Sequence, residues 1–180
     1  MIFLGFLFYG INAMAQQDGS YTTMLNSTEE IQLTDSLHID AGQWKLKRLD
    51  TVDVKKWFAP ILGGGNNNRL KNRGYYLAGK ITSNNSFDLV VVLEEKRKAD
   101  TAGVQVVYLV SLKKDGQYIA SLEVAVSGTR KKSSYSTSSW LFKDLKIMKD
   151  SKITINDKFL NDFAVYKING GGRFILYPNY

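Results

Sequence analysis

From Tyr75 onward, apolar and polar positions alternate with a period of two in short runs, the pattern of strands that bury at least one face. The runs cover residues 75–82, 87–95, 103–112, 117–126, 140–148, 152–156, 163–168 and 173–177. Turn-forming residues separate them: Asn84-Asn85, a two-residue hairpin at Asp115-Gly116, Lys149-Asp150-Ser151, and Asn169-Gly170-Gly171-Gly172. Two central runs are apolar on both faces. Phe87, Leu89, Val91 and Leu93 point one way and Val90 and Val92 the other, while Val107 and Leu109 oppose Val106, Tyr108 and Val110. Such strands need cover on both sides. Upstream, Val54, Trp57, Phe58 and Ile61 recur at i, i+3, i+4 and i+7, one face of a helix with Thr51 as N-cap and Pro60 and Gly63-Gly64-Gly65 as its stop. Between Thr28 and Leu49 the alternation is loose and predicts one or two short strands. The sum is a mainly β fold with a minor α part: an antiparallel up-and-down meander of about eight strands, curled or partly closed, with one N-terminal helix packed on it.

The start of the chain follows another pattern. Residues 2–11 are an apolar run without charge, followed by Ala13-Met14-Ala15, the small-x-small site of a signal peptidase. Residues 1–15 therefore read as a signal peptide, 16–27 as a flexible polar leader and 28–180 as a single β-rich domain. No basic residue precedes the apolar run, which is short for the role. No membrane span is expected in the mature chain. An eight-stranded membrane barrel is set aside because the last three runs, about 5–6 residues each, fall short of the ~9–11 a membrane strand needs. Lys143 and Lys146, placed on one strand, would also face opposite ways.

Composition narrows the chemistry. With 44% apolar and 12% aromatic residues the chain can bury a full core. It has no cysteine, which removes disulfides, thiolate metal sites and cysteine nucleophiles. The single histidine, His38, lies between Ser36 and Asp40, but catalytic triads assemble from distant segments, so it reads as a surface or turn histidine. Glu94 and Glu95 adjoin on a strand and must face opposite ways, so they cannot form a facing acid–base pair. Residues 63–68 are glycine- and asparagine-rich but lack the Lys-Ser/Thr of a phosphate loop, and no calcium-loop spacing occurs. No cofactor or metal is implied. Trp44, Trp57 and Trp140 can stack on sugars, but core packing is their commoner fate.

The blocks Tyr75-Tyr76-Leu77-Ala78-Gly79-Lys80-Ile81, Asp88-Leu89-Val90-Val91-Val92-Leu93 and Tyr108-Leu109-Val110-Ser111-Leu112-Lys113-Lys114-Asp115-Gly116-Gln117-Tyr118-Ile119 resemble small exported proteins of Bacteroidetes-type bacteria. A start at Ala15-Gln16-Gln17 after an Ala-x-Ala site is similar to the same group. The resemblance implies a β-rich fold and a location in the periplasm or outside the cell, and carries no activity.

Net charge is +7 and unevenly spread. Residues 16–60 hold five Lys/Arg against seven Asp/Glu, or −2, and residues 61–180 hold nineteen against ten, or +9. Three clusters carry the excess: Arg69, Lys71 and Arg73; Lys96, Arg97 and Lys98; Arg130, Lys131 and Lys132. In a meander these segments fall at one end of the sheet, the third in a long Ser-rich loop over 127–139. Such a rim suits phosphate, sulfate or uronate groups. The plainer reading is that loop cations aid solubility and guard strand edges. Export makes nucleic acid an unfitting partner. The chain is thus expected to be an exported, non-enzymatic binding or structural module, contacting an anionic glycan, lipid head groups or another envelope protein through its basic rim. The alternative is an envelope glycan hydrolase whose carboxylates do not pair in the sequence.

Overall fold

A computed structural model of the protein describes residues 19–44, 47–62, 70, 72–82, 86–96 and 103–178. The apolar N-terminal run, its Ala13-Met14-Ala15 site, the 63–68 stretch and the Asn84-Asn85 turn lie outside the described residues.

The strands are β1 (Glu30–Gln32), β2 (Ser36–Ile39), β3 (Lys47–Arg48), β4 (Arg73–Thr82), β5 (Phe87–Lys96), β6 (Gln105–Lys113), β7 (Tyr118–Arg130), β8 (Ser133–Phe142), β9 (Lys146–Ile155), β10 (Lys158–Ile168) and β11 (Phe174–Tyr177). They form one 11-stranded sheet in the order β1-β4-β5-β6-β7-β8-β9-β10-β11, with β2 beside β8 and β3 beside β4. Among the described residues only β1 runs parallel to its neighbour. The expected meander is the run from β4 to β11, and the sheet does not close.

Helix α2 (Thr51–Trp57), extended by a 3₁₀ turn (Ala59–Leu62), buries the foreseen face of Val54, Trp57, Phe58 and Ile61. Its cap is one residue earlier than expected, since Asp50 accepts the Asp53 N–H at 2.7 Å. A second helix, α1 (Gly19–Asn26), lies within the segment expected to be a flexible leader. Tyr21, Met24 and Leu25 recur at i, i+3 and i+4 and are all buried. Burying such side chains stabilises by about 1.5–3 kcal/mol each, enough to hold a short helix in place.

The two-sided strands are covered on both faces. Tyr75, Leu77, Val90, Val92, Val110 and Leu112 pack with α1 and α2. On the opposite face Leu89, Val91, Leu93, Val107 and Leu109 pack with Ile39, Leu141, Ile147 and Ile168, which β2, β8, β9 and β10 bring around. One cross-strand row, Glu94–Val106–Val126–Thr137–Ser151–Asp162, spans six strands and lines a single cavity, so the sheet is curled.

Three expectations fail. Residues 127–139 are not a loop: they are the end of β7 and most of β8, joined by a two-residue turn at Lys131-Lys132. Lys149-Asp150-Ser151 is not a turn but mid-β9, and the breaks fall at Lys143-Asp144-Leu145 and Asn156-Asp157. Asn156 and Asp157 have φ of 48° and 65°, the two left-handed residues of a tight hairpin. The strands β9 and β10 are therefore 10 and 11 residues long, and strand length is no argument against a barrel; the open sheet is. Lys143 is in the turn, so its facing relative to Lys146 carries nothing. Finally, the β6–β7 connection is a three-residue loop, Lys114-Asp115-Gly116, closed by Gly116 N–H to Lys113 carbonyl at 2.8 Å.

Candidate functional site

Of the nine expected rim residues, Arg69, Lys71, Arg97 and Lys98 lie outside the described residues. Arg73 opens β4 and stands directly opposite Lys96, which closes β5. Arg130 ends β7, and Lys131 and Lys132 form the turn into β8. Because β5, β6, β7 and β8 alternate in direction, these positions share one end of the sheet.

Between them the curled face encloses a cavity of about 440 Å³. Val104, Val106, Val126 and Ile153 give it apolar walls, and Tyr108, Tyr135, Thr137 and Ser151 supply hydroxyls. Its charged lining is Arg73, Lys96 and Lys149 against Glu94, Glu123 and Asp162, three cations and three anions. Tyr135 also borders the adjoining depression formed by Lys131, Lys132, Ser133 and Asn156. The interior is thus charge-balanced and the positive excess sits at its lip.

Inside, two ion pairs form. Glu94 is 1% exposed and forms an ion pair with Arg73, and the Tyr75 hydroxyl donates to its Oε2 at 3.3 Å. Removing one partner of so buried a pair strands the other charge, at a cost of about 3–5 kcal/mol. Lys149 Nζ donates to Glu123 Oε1 at 3.3 Å. Glu95 faces the other side, where Tyr76 donates to it at 3.2 Å. The opposite facing of the two glutamates is as expected. Lys131 has φ of 55°, a conformation that costs a non-glycine residue about 1–2 kcal/mol. The chain thus keeps a cation at the hairpin tip where glycine would be free of strain.

Sequence reading missed Lys149, Glu123, Asp162 and Thr137. Ile147 and Ile153 share a face of this strand, but the polar Lys149 and Ser151 between them break the apolar alternation. The string Lys149-Asp150-Ser151 reads locally as a turn.

His38 is on strand β2 rather than in a turn, half-buried, with its ring centroid 4.7 Å from that of Trp140 and Nδ1 3.8 Å from Asp40. It faces away from the cavity. Trp57 is core, Trp44 is partly buried with its indole donating to the Asp40 carbonyl at 2.6 Å, and Trp140 is 46% exposed. Among the described residues no group of three or more His, Asp or Glu is placed to hold a metal. No helix among them is long and apolar enough to cross a membrane. Comparison with protein-family models, curated proteins and solved structures finds no match, so the site is read from its own geometry.

Proposed function

We propose that the protein is an exported, non-enzymatic binding module that takes an anionic group of an envelope polymer at the lip of the β5–β8 cavity. The group is a uronate, sulfate or phosphate, from a glycan or a lipid head group. One observation carries the reading: at one end of the sheet Arg73 and Lys96 line the cavity, and Lys131 and Lys132 line the depression that adjoins it through Tyr135. The ligand's anion would meet Lys131 and Lys132, and its neighbouring carbons the valine walls. The signal-like N-terminus and the resemblance to exported proteins support the location.

A second reading, an envelope glycan hydrolase, has one observation in its favour. Glu94, Glu123 and Asp162 line the same cavity. Glycoside hydrolysis needs one carboxyl as acid and another as base or nucleophile, and here Arg73 and Lys149 already engage two of the three.

The test is binding of Lys131→Gln/Lys132→Gln to heparin and to lipopolysaccharide across a salt series. Affinity should fall about tenfold, or about 1.4 kcal/mol, with a shallower salt dependence. Heparin and lipopolysaccharide separate the glycan from the lipid source. Unchanged, salt-insensitive binding rejects the lip. Polymers shortened after incubation with the wild-type protein would establish hydrolysis in place of binding.

A further inference from the structure

The sheet has a second exposed face, made by β2 and β8–β11 and turned away from the cavity. Alternation sends Ile39, Leu141, Ile147 and Ile168 into the core and their neighbours outward. Pairing then aligns five outward residues in a row across the strands: His38 opposite Trp140, Trp140 opposite Met148, Met148 opposite Val165, and Val165 opposite Tyr177. At ~4.8 Å per strand the row is about 19 Å long. Trp140 is 46% and Tyr177 53% exposed, and Phe163, beside the row on β10, is 45% exposed. Aromatic side chains gathered in the open in this way mark a surface that meets something else.

Two observations say what it meets. Lys146 and Lys167 stand directly opposite one another, flanking the row. Like charges so placed oppose folding, and an anion between them turns the cost into a contact. The rows that border the strip also carry polar groups. Ser36, Lys146 and Lys167 share the row on one side with Phe142 and Ile175, and Ser138 and Asp150 share the row on the other with Phe163. Serine, lysine and aspartate are depleted in protein–protein interfaces. A strip of rings with hydroxyls and ammonium groups among its neighbours suits a linear polymer, with ring faces on the aromatics and acid groups on the lysines.

We propose that this face binds a linear acidic polysaccharide, its sugar rings stacking on Trp140 and Tyr177 and its carboxylates meeting Lys146 and Lys167. The surface is separate from the cavity and does not rest on the reading of the lip.

The experiment is affinity electrophoresis of the full chain in gels containing polygalacturonate, with tryptophan emission followed during titration with oligogalacturonate. Wild type should be retarded, and its emission should shift as Trp140 is covered. Trp140→Ala/Tyr177→Ala should lose about tenfold or more in affinity with its circular dichroism intact. Lys146→Gln/Lys167→Gln should weaken binding and flatten its salt dependence. The emission shift should persist in Lys131→Gln/Lys132→Gln, which distinguishes failure of the lip from failure of this face. No retardation of wild type, or equal retardation of Trp140→Ala/Tyr177→Ala, overturns the proposal. So does capture by phosphatidylglycerol vesicles, or a dimer in light scattering, that the same variant abolishes while polygalacturonate is ignored.

Discussion

Tyr21 shows how one side chain ties a helix to the sheet. It is 2% exposed, and its hydroxyl donates to Asp88 Oδ2 at 3.0 Å while Lys114 Nζ holds Oδ1 at 2.6 Å. Burial, then the adjacent Asp88 carboxylate, pushes the hydroxyl far above the usual tyrosine range. The unfolded tyrosine loses its proton near pH 10 and the folded one only above that. Its contribution to stability is therefore complete below about pH 10 and declines above it, by up to about 1.4 kcal/mol per pH unit. Tyr21→Phe should give a flatter alkaline limb than wild type in melting temperature against pH. Parallel curves would refute the assignment. This residue was legible only in part: its spacing to Met24 and Leu25 is helical, but the surrounding Gln, Asp, Ser and Thr suggested a leader. Helix formation in so short a segment depends on a face of the sheet to pack against, which no local pattern reports.

At the scale of elements, the strands with strong apolar contrast were readable and those without it were not. The β5 strand and the β6 strand lie within about two residues of their expected bounds. The β7–β8 hairpin reads as a loop in sequence because Ser133, Ser134, Ser136, Ser138 and Ser139 leave β8 polar on both faces along much of its length. Its inward hydroxyls line the cavity or bond the core, as Ser139 does by donating to the Val124 carbonyl at 2.5 Å. The sequence signal at Gly116 was sound even though the loop has three residues. Its φ is 89°, and an added Cβ would lie 2.7 Å from both Trp57 and Tyr21. Gly116→Ala combines left-handed strain with overpacking, a loss of about 2–4 kcal/mol. Thermal unfolding should fall by about 5–10 °C, and an unchanged midpoint would mean that α1 and α2 do not seat on this turn as described.

At the scale of the whole molecule, curling the sheet produces two surfaces with different chemistry from the same strands. The lip turn at Lys131-Lys132 and Trp140 are both reached by β8, eight residues apart, or about 26 Å along an extended strand. Sites so far apart act independently. Combining Lys131→Gln/Lys132→Gln with Trp140→Ala/Tyr177→Ala should therefore lower affinity for a long acidic polymer by the product of the two separate factors, measured by titration at fixed salt. A loss well short of that product would show that the two surfaces are one site. The sequence by itself determined the β class, the meander order, the α2 face and the concentration of positive charge after residue 61, because each follows from local periodicity, turn chemistry or counting. Only the tertiary structure decided that β2 joins β8, that Glu94 is neutralised by Arg73, and that Trp140 and Tyr177 share a row. Those facts depend on register and curvature, which arise when strands distant in the chain pair and bend together, and no stretch of sequence contains them alone.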